Sequence, residues 1–138
     1  MPPLTVRLAT LADVPAVAAL RDASGWAGGA REEVVRRYLE GTHHPQGALA
    51  PRVLILAERD GAPVGYVAGH RTTRFGAEGE LQWLLVAPDA RGDGVADALL
   101  GILARWFEGE GAARVLVNVA PENAAARRFY SRWGAQPI

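Results

Sequence analysis

A turn of small and charged residues lies between two apolar segments in the middle of the chain. Arg91-Gly92-Asp93-Gly94 follows an apolar run that ends at Pro88 and precedes a run of alanine and leucine. If a strand passes into a helix here, the first N–H groups of the helix have no internal acceptor and attract anions. The two glycines lack the Cβ atoms that would hold a phosphate away, and Arg91 adds a positive charge. The spacing predicts a diphosphate site.

Other ligand-binding and catalytic motifs do not fit the sequence. No Gly-Lys-Ser/Thr follows the glycines, which excludes a P-loop, and Asp97 stands where a dinucleotide-binding fingerprint has its third glycine. His43 and His44 are adjacent in a loop without further ligands at metal spacing, so we predict no metal site. The chain has no cysteine, which excludes a cysteinyl acyl-enzyme.

Length and composition narrow the class of protein. The chain has 138 residues, 49% of them hydrophobic, so we expect a single domain over residues 1–138. Fifteen basic and fifteen acidic residues give a net charge of zero, which argues against a nucleic-acid partner. No long apolar span or signal-peptide pattern is present, so we expect no membrane contact and a cytoplasmic location.

Hydrophobic periodicity predicts the elements around the turn. Alternation over Leu4–Leu8, two apolar runs that flank Asp60-Gly61, and the segments 80–88 and 113–119 predict five strands. Helical spacing predicts a helix between Thr10 and Ser24, and three more over about 31–40, 93–108 and 122–134. The order is β-α-α-β-β-β-α-β-α, a mixed α/β chain. Residues 80–119 should form a parallel strand-helix-strand unit.

The turn and three other segments resemble a known family. Arg91-Gly92-Asp93-Gly94-Val95-Ala96 matches the Arg-x-x-Gly-x-Gly/Ala signature of the GNAT superfamily of acyl-CoA-dependent N-acyltransferases. NAAARRFYSRWGA resembles the family's Asn-x-x-Ala-x-x-x-Tyr-x-x-x-Gly helix, ELQWLLVAP its fourth strand, and VRLATLADVPAV its first strand and helix. The resemblance covers nearly the whole chain in the family's order.

The resemblance implies a fold and a reaction. The fold is α/β, a GNAT fold with a mixed central sheet, splayed parallel strands and flanking helices. Its C-terminal hairpin is shortened, which leaves one sheet edge open or covered by a second copy in a homodimer. The implied activity is transfer of the acetyl group of acetyl-CoA, a co-substrate, to a primary amine of a small molecule or peptide in a ternary complex. The alternative is a non-catalytic acyl-CoA sensor or an interaction module.

The same resemblance assigns the catalytic residues. Glu80 is the implied base, through water, with His70 or water as alternatives; its structural alternative is a solvated strand carboxylate. Tyr130 is the implied acid for the departing sulfur, unless it is only a packed aromatic residue. The N–H of Val86 would donate to the developing oxyanion. Cofactor contacts are expected from these residues: Leu84, Val86, Arg91, Gly92, Asp93, Gly94, Val95, Ala96, Asn118 and Asn123.

Several of these residues have a second interpretation. Asp93 would weaken pyrophosphate binding unless it turns away as a helix N-cap. Asn123 also fits a helix cap, and Asn118 fits a residue that only satisfies backbone groups. Aromatic residues complete the set: Trp26, Trp83 and Phe75 are expected in the acceptor cleft, and Trp106 and Trp133 in the core.

Overall fold

The computed structural model describes residues 2–25 and 31–138. The helices and strands follow one another in the predicted order: β1 Leu4–Leu8, α1 Val14–Ala23, α2 Glu32–Glu40, β2 Leu49–Arg59, β3 Ala62–Arg71, β4 Gly79–Val86, α3 Val95–Gly109, β5 Val115–Val117 and α4 Ala124–Arg132. Among the described residues, none of these helices is long and apolar enough to span a membrane.

The strands form one mixed sheet in the order β1-β2-β3-β4-β5. The first four are antiparallel neighbours, and β5 pairs parallel to β4, as a strand-helix-strand unit requires. Asp60 and Gly61 turn the β2–β3 hairpin with φ of 53° and 77°, a left-handed pair that Asp-Gly adopts readily. The mixed α/β fold that the sequence predicts is confirmed.

The two faces of the sheet carry different helices. A side chain at Gly65 or Gly69 would meet Val95, Leu99 or Leu103 of α3, so these positions of β3 face α3. Because side chains alternate along a strand, Tyr66 and His70 face the opposite side, where α1 and α2 pack. The core therefore lies on both faces of β3 and β4.

The structure corrects three details of the sequence prediction. Helix α3 begins at Val95 rather than Asp93, because Gly94 has a φ of 79° and cannot continue a right-handed helix. Strand β5 contains three residues rather than the predicted seven. Trp133 is 43% exposed rather than in the core, whereas Trp106 is half-buried against the core. Within residues 31–138, no strand follows α4.

Candidate active site

An opening in the sheet lies between β4 and β5. Their paired residues run only from Gly79↔Val115 to Leu81↔Val117, while β4 continues to Val86. Beyond Val117 the chain reaches Pro121, which has no N–H group to donate to a strand ladder. The carboxyl half of β4 therefore has no strand on its β5 side among the described residues.

The register of β3 and β4 directs two backbone groups into this opening. The N–H of Ala87 donates to the carbonyl of Val64 at 2.8 Å, which makes Gly65 and Val86 a non-hydrogen-bonded pair. The N–H of Val86 therefore points away from β3. Leu84 pairs with Val67 two residues earlier on β4, which is again a non-hydrogen-bonded pair, so its N–H also points away from β3. Both residues thus present backbone donors and acceptors to the opening, and their contact with a cofactor stays a prediction.

The glycine turn lies at the mouth of the opening. Gly92 and Gly94 have φ of 86° and 79°, and a Cβ added at either would meet nothing within 4 Å. The first helical bond of α3 runs from Ala98 to the carbonyl of Gly94 at 3.1 Å. In the described part of the chain, no group accepts a hydrogen bond from the N–H groups of residues 92–97. Six unpaired donors at a helix N-terminus fit a diphosphate.

Two arginines border this turn. Arg91 is exposed, and its Nε donates to the carbonyl of Val86 at 3.3 Å, which ties the turn to the end of β4. Arg59, at the end of β2, lies with Nη1 3.6 Å from Asp93 Oδ2 and Nη2 3.4 Å from the Asp93 carbonyl. Asp93 therefore turns towards Arg59. It does not cap α3, because the N-cap is Gly94 and the cap carries no side-chain hydrogen bond.

A cleft of about 380 Å³ joins the opening, the turn and α4. It is lined by Ser24, Leu84, Leu85, Val86, Arg91, Ala96, Ala125, Ala126, Phe129 and Tyr130. Burial raises the pKa of Tyr130 to about 12, so the phenol keeps its proton at neutral pH. Among the described residues the Tyr130 hydroxyl has no hydrogen-bond partner. The cleft thus combines backbone donors with one protonated, unengaged phenol.

The two asparagines predicted to contact the cofactor, Asn118 and Asn123, do not line the cleft. Asn123 caps α4, its Oδ1 accepting from the N–H of Ala126 at 3.1 Å, so the capping interpretation holds. Asn118 is exposed directly after β5. Contact of either residue with a cofactor stays a prediction.

Glu80 lies outside the cleft, in a buried polar cluster. Its side chain is 1% exposed, and its Oε2 accepts a hydrogen bond from Arg74 at 2.5 Å. Its Oε1 has no hydrogen-bond partner and lies 3.6 Å from Nε2 of His70, beyond hydrogen-bonding distance. Because a strand advances about 3.3 Å per residue, the Cα atoms of Glu80 and Val86 lie roughly 20 Å apart. Glu80 is therefore not a solvated carboxylate, and it does not reach the cleft directly.

His70 links this cluster to α2. Its Nδ1 lies 2.9 Å from the hydroxyl of Tyr38, and both side chains are fully buried. Burial, with smaller contributions from Arg52 and Arg74, lowers the pKa of His70 to about 4, so the imidazole is neutral at pH 7. Burial also raises the pKa of Tyr38. We name Tyr38, His70, Arg74 and Glu80 the buried cluster.

The expected acceptor residues are dispersed. Trp83 is 7% exposed and packs between Tyr38, at a ring distance of 4.8 Å, and Arg21, so it belongs to the core and not to the cleft. Phe75 is 73% exposed in a turn and does not line the cleft. Trp26 lies outside the described residues. Among residues 2–25 and 31–138, no group of three or more His, Asp or Glu side chains is placed to hold a metal.

Sequence reasoning missed Arg59, Arg74 and Tyr38. Arg59 immediately precedes the Asp60-Gly61 turn, and a hairpin register would have placed it at the same end of the sheet as the glycine turn. Arg74 and Tyr38 stand in no motif. Their roles appear only once the sheet and α2 are packed together.

Comparison with known proteins fits this geometry. Residues 20–135 match the acetyltransferase (GNAT) family. The chain belongs to this family. A mycothiol acetyltransferase of Streptomyces coelicolor is 36% identical, over 67% of this chain and 34% of that protein. The chain therefore spans about a third of the length of this GNAT relative.

Solved GNAT structures share the fold at low identity. The ribosomal-protein-S18-alanine N-acetyltransferase of Escherichia coli has a TM-score of 0.78 at 20% identity, covering 99% of this chain and 80% of that one. An aminoglycoside N-acetyltransferase in complex with CoA has a TM-score of 0.79 at 18% identity, covering 100% of this chain and 91% of that one. Both likenesses support the GNAT fold.

Proposed function

We propose that the chain transfers the acetyl group of acetyl-CoA to a primary amine. The observation that carries this proposal is the cleft itself, where the protonated Tyr130 hydroxyl lies in the same cavity as the backbone of Val86 and next to the unpaired N–H groups of the glycine turn. A GNAT neighbour in complex with CoA supports the choice of co-substrate. In this proposal residues 1–138 act as one N-acetyltransferase domain.

The glycine turn binds the pyrophosphate of the co-substrate. The N–H groups of residues 92–97 donate to its oxygens, and the guanidinium of Arg91 supplies a positive charge. Leu84 and Val86 pair their backbone groups with the pantetheine arm along the open side of β4, as an added strand would. These contacts bring the thioester beside the N–H of Val86 and the hydroxyl of Tyr130, which line the same cleft as Arg91.

Acetyl-CoA supplies an activated acetyl group as a thioester, and the chain supplies donors and proton carriers. The N–H of Val86 donates to the carbonyl oxygen, where negative charge develops. The Tyr130 hydroxyl gives its proton to the departing sulfur. The amine proton passes to water, and Glu80 acts as the base only if a chain of several waters reaches its Oε1, because the Cα atoms of Glu80 and Val86 lie roughly 20 Å apart. Because the chain has no cysteine, the amine attacks the thioester directly in a ternary complex.

An acceptor screen tests this proposal. The purified chain is incubated with acetyl-CoA and an aminoglycoside, a peptide that begins with alanine, or a polyamine, and the released CoA thiol is measured. We expect turnover with one class of amine that exceeds the rate without amine. The names of the relatives, which include mycothiol, ribosomal-protein-alanine and aminoglycoside acetyltransferases, justify a panel of both small molecules and peptides.

A non-catalytic acyl-CoA sensor is the second candidate. The observation that favours it is the distance between the buried Glu80 carboxylate and the cleft. A sensor would bind acetyl-CoA with the glycine turn yet release no thiol with any amine of the panel. It would also be indifferent to loss of the Tyr130 hydroxyl, so binding and turnover together separate the two functions.

A further inference from the structure

Helix α4 carries the proposed acid but is weakly attached to the rest of the chain. It has no fully buried residue. Two hydrogen bonds that involve its side chains or cap are local: the backbone N–H of Ala126 donates to Oδ1 of Asn123, and Nη1 of Arg127 donates to the carbonyl of Pro121. Neither joins α4 to the sheet or to another helix.

One hydrogen bond crosses from the end of α4 to another helix. The indole Nε1 of Trp133, at the C-cap of α4, donates to Oδ1 of Asp97 at 2.8 Å. Asp97 lies in the first turn of α3, within the segment whose N–H groups face the cleft mouth. In the part of the chain that the structure describes, it is the one side-chain hydrogen bond between residues 123–133 and any other element.

The Trp133 ring packs on α3 at a glycine. A Cβ built at Gly101, one turn after Asp97, would lie 3.7 Å from the edge of the indole ring and have no other neighbour within 4 Å. Glycine is unfavourable inside a helix, so a packing role accounts for its presence here. A methyl group at this position makes an ordinary contact with the ring, whereas a longer side chain would displace it.

Tyr130 lies three residues before Trp133 and therefore on the neighbouring side of the same helix. We infer that the Trp133–Asp97 hydrogen bond is a positioning pair that holds α4, and with it the Tyr130 hydroxyl, against the cleft. The catalytic part of this inference rests on the proposed function. The positional part does not, because it concerns only where Tyr130 lies in the free protein.

Chemical modification tests the position of Tyr130 without any substrate. Tyr130 is nitrated with tetranitromethane at pH 8 and located by peptide mass, with the fully buried Tyr38 and Tyr66 as internal references. We expect Trp133→Phe, which keeps an aromatic side chain but removes the indole N–H and its outer edge, to speed nitration of Tyr130 by roughly three- to tenfold, about the loss of one hydrogen bond. Equal nitration rates in the variant and the parent overturn the inference.

Changes on the α3 side provide matched controls. Asp97→Ala should speed nitration as Trp133→Phe does, whereas Asp97→Asn, which keeps the acceptor oxygen, should stay within about twofold of the parent. Gly101→Leu should displace the ring, and Gly101→Ala should not. If Asp97→Asn and Asp97→Ala behave alike, the charge of Asp97 and not the hydrogen bond acts on α4, and the inference is wrong.

Kinetic coupling tests the catalytic part. With the amine that the acceptor screen identifies, Trp133→Phe should lower kcat roughly three- to tenfold in the parent and cause no further loss in a Tyr130→Phe background. A full loss in both backgrounds would mean that Trp133 does not act through Tyr130. Absence of any turnover in the parent would reject the proposed function, while the nitration result would still decide the positional part.

Discussion

The two ends of β4 hold opposite kinds of polar chemistry. At its carboxyl end, the backbone groups of Leu84 and Val86 point into an open cleft. The N–H groups of the neighbouring turn have no hydrogen-bond acceptor among the described residues. At its amino end, Glu80 is closed in by the buried cluster. One strand thus delivers open backbone donors to a ligand site and a buried carboxylate, ion-paired with Arg74, to the core.

The contrast separates binding from stability. Donors that are left open at a helix N-terminus cost little, because water satisfies them until a ligand replaces it. A buried carboxylate must be paired inside the protein, since an unpaired one would destabilise the fold. Substitutions at the carboxyl end of β4 and its cleft should therefore change ligand affinity and turnover, and substitutions in the buried cluster should first change stability.

The largest effect is expected from the cleft. Tyr130→Phe deletes only the hydroxyl and should lower kcat by roughly 10² to 10⁴, with the Kd for acetyl-CoA nearly unchanged. The melting temperature should hardly move, because no described residue bonds this hydroxyl. Tyr66→Phe is the control: its hydroxyl accepts from Arg21 at 3.2 Å in the core, so it should cost about 1 kcal/mol of stability and leave kcat intact. If Tyr130→Phe turns over at the parental rate but melts at a lower temperature, Tyr130 has a structural role and is not the acid.

Gly94→Val should abolish acetyl-CoA binding, with an increase in Kd of at least about 10², because the valine side chain lies among the phosphate donors. Its left-handed φ also costs about 1 to 2 kcal/mol for a non-glycine residue, so stability falls slightly while circular dichroism is unchanged. Gly111→Val isolates that strain: it has a φ of 74°, open space around it, and lies at the other end of α3. It should melt like Gly94→Val but bind acetyl-CoA normally in calorimetry. Micromolar affinity in Gly94→Val would reject the phosphate turn.

In the buried cluster, Glu80→Gln should lower the free energy of unfolding by about 2 to 3 kcal/mol in urea titrations. Breaking a buried ion pair costs about 3 to 5 kcal/mol, and the partial exposure of Arg74 reduces that loss. Glu33→Gln, at an exposed position of α2, should change stability by less than about 0.5 kcal/mol. Because Glu80 is the proposed base, Glu80→Gln should also lower kcat. Parental kcat in a destabilised variant would leave it a structural role alone.

The free energy of unfolding should fall as the pH drops from the pKa of His70 in the unfolded chain to its lower pKa in the folded protein. The folded protein keeps His70 neutral down to its pKa of about 4, whereas the unfolded chain binds the proton near 6.5. The unfolded state therefore holds more protons between these values, and up to roughly 3 kcal/mol is lost from pH 6.5 to 4. His70→Gln should flatten the dependence of unfolding free energy on pH between 6.5 and 5. An equal slope in His70→Gln and the parent would contradict a depressed pKa.

The sequence predicts more of the cleft than of the buried cluster. Gly92 and Gly94 form the turn through local backbone geometry, so their spacing alone indicates a helix N-terminus with open donors. The buried cluster joins residues from α2, β3, the following turn and β4, and only the sheet register brings them together. The short β5 and the exposed Trp133 were missed for a similar reason, because strand pairing and the cover over α4 are tertiary properties.

The smallest effect is expected from Asp93, at the edge of the cleft. As a carboxylate beside the pyrophosphate donors it should oppose binding, yet Arg59, 3.6 Å away, compensates part of its charge. Asp93→Asn should therefore tighten acetyl-CoA binding only about two- to threefold, and the gain should shrink as salt screens the charges. Asp89→Asn, an exposed aspartate before the turn, serves as the control and should have a smaller effect.

Two outcomes for Asp93→Asn carry different meanings. Weaker binding would mean that Asp93 orders the turn through Arg59, because its loss would free Arg59 and loosen the N–H groups that hold the phosphate. The double variant Arg59→Gln with Asp93→Asn separates order from charge. If the ion pair orders the turn, each single variant weakens binding and the double variant binds no more weakly than the weaker single variant. If the two side chains act only through their charges, Arg59→Gln weakens binding, Asp93→Asn tightens it, and the double variant binds like the parent.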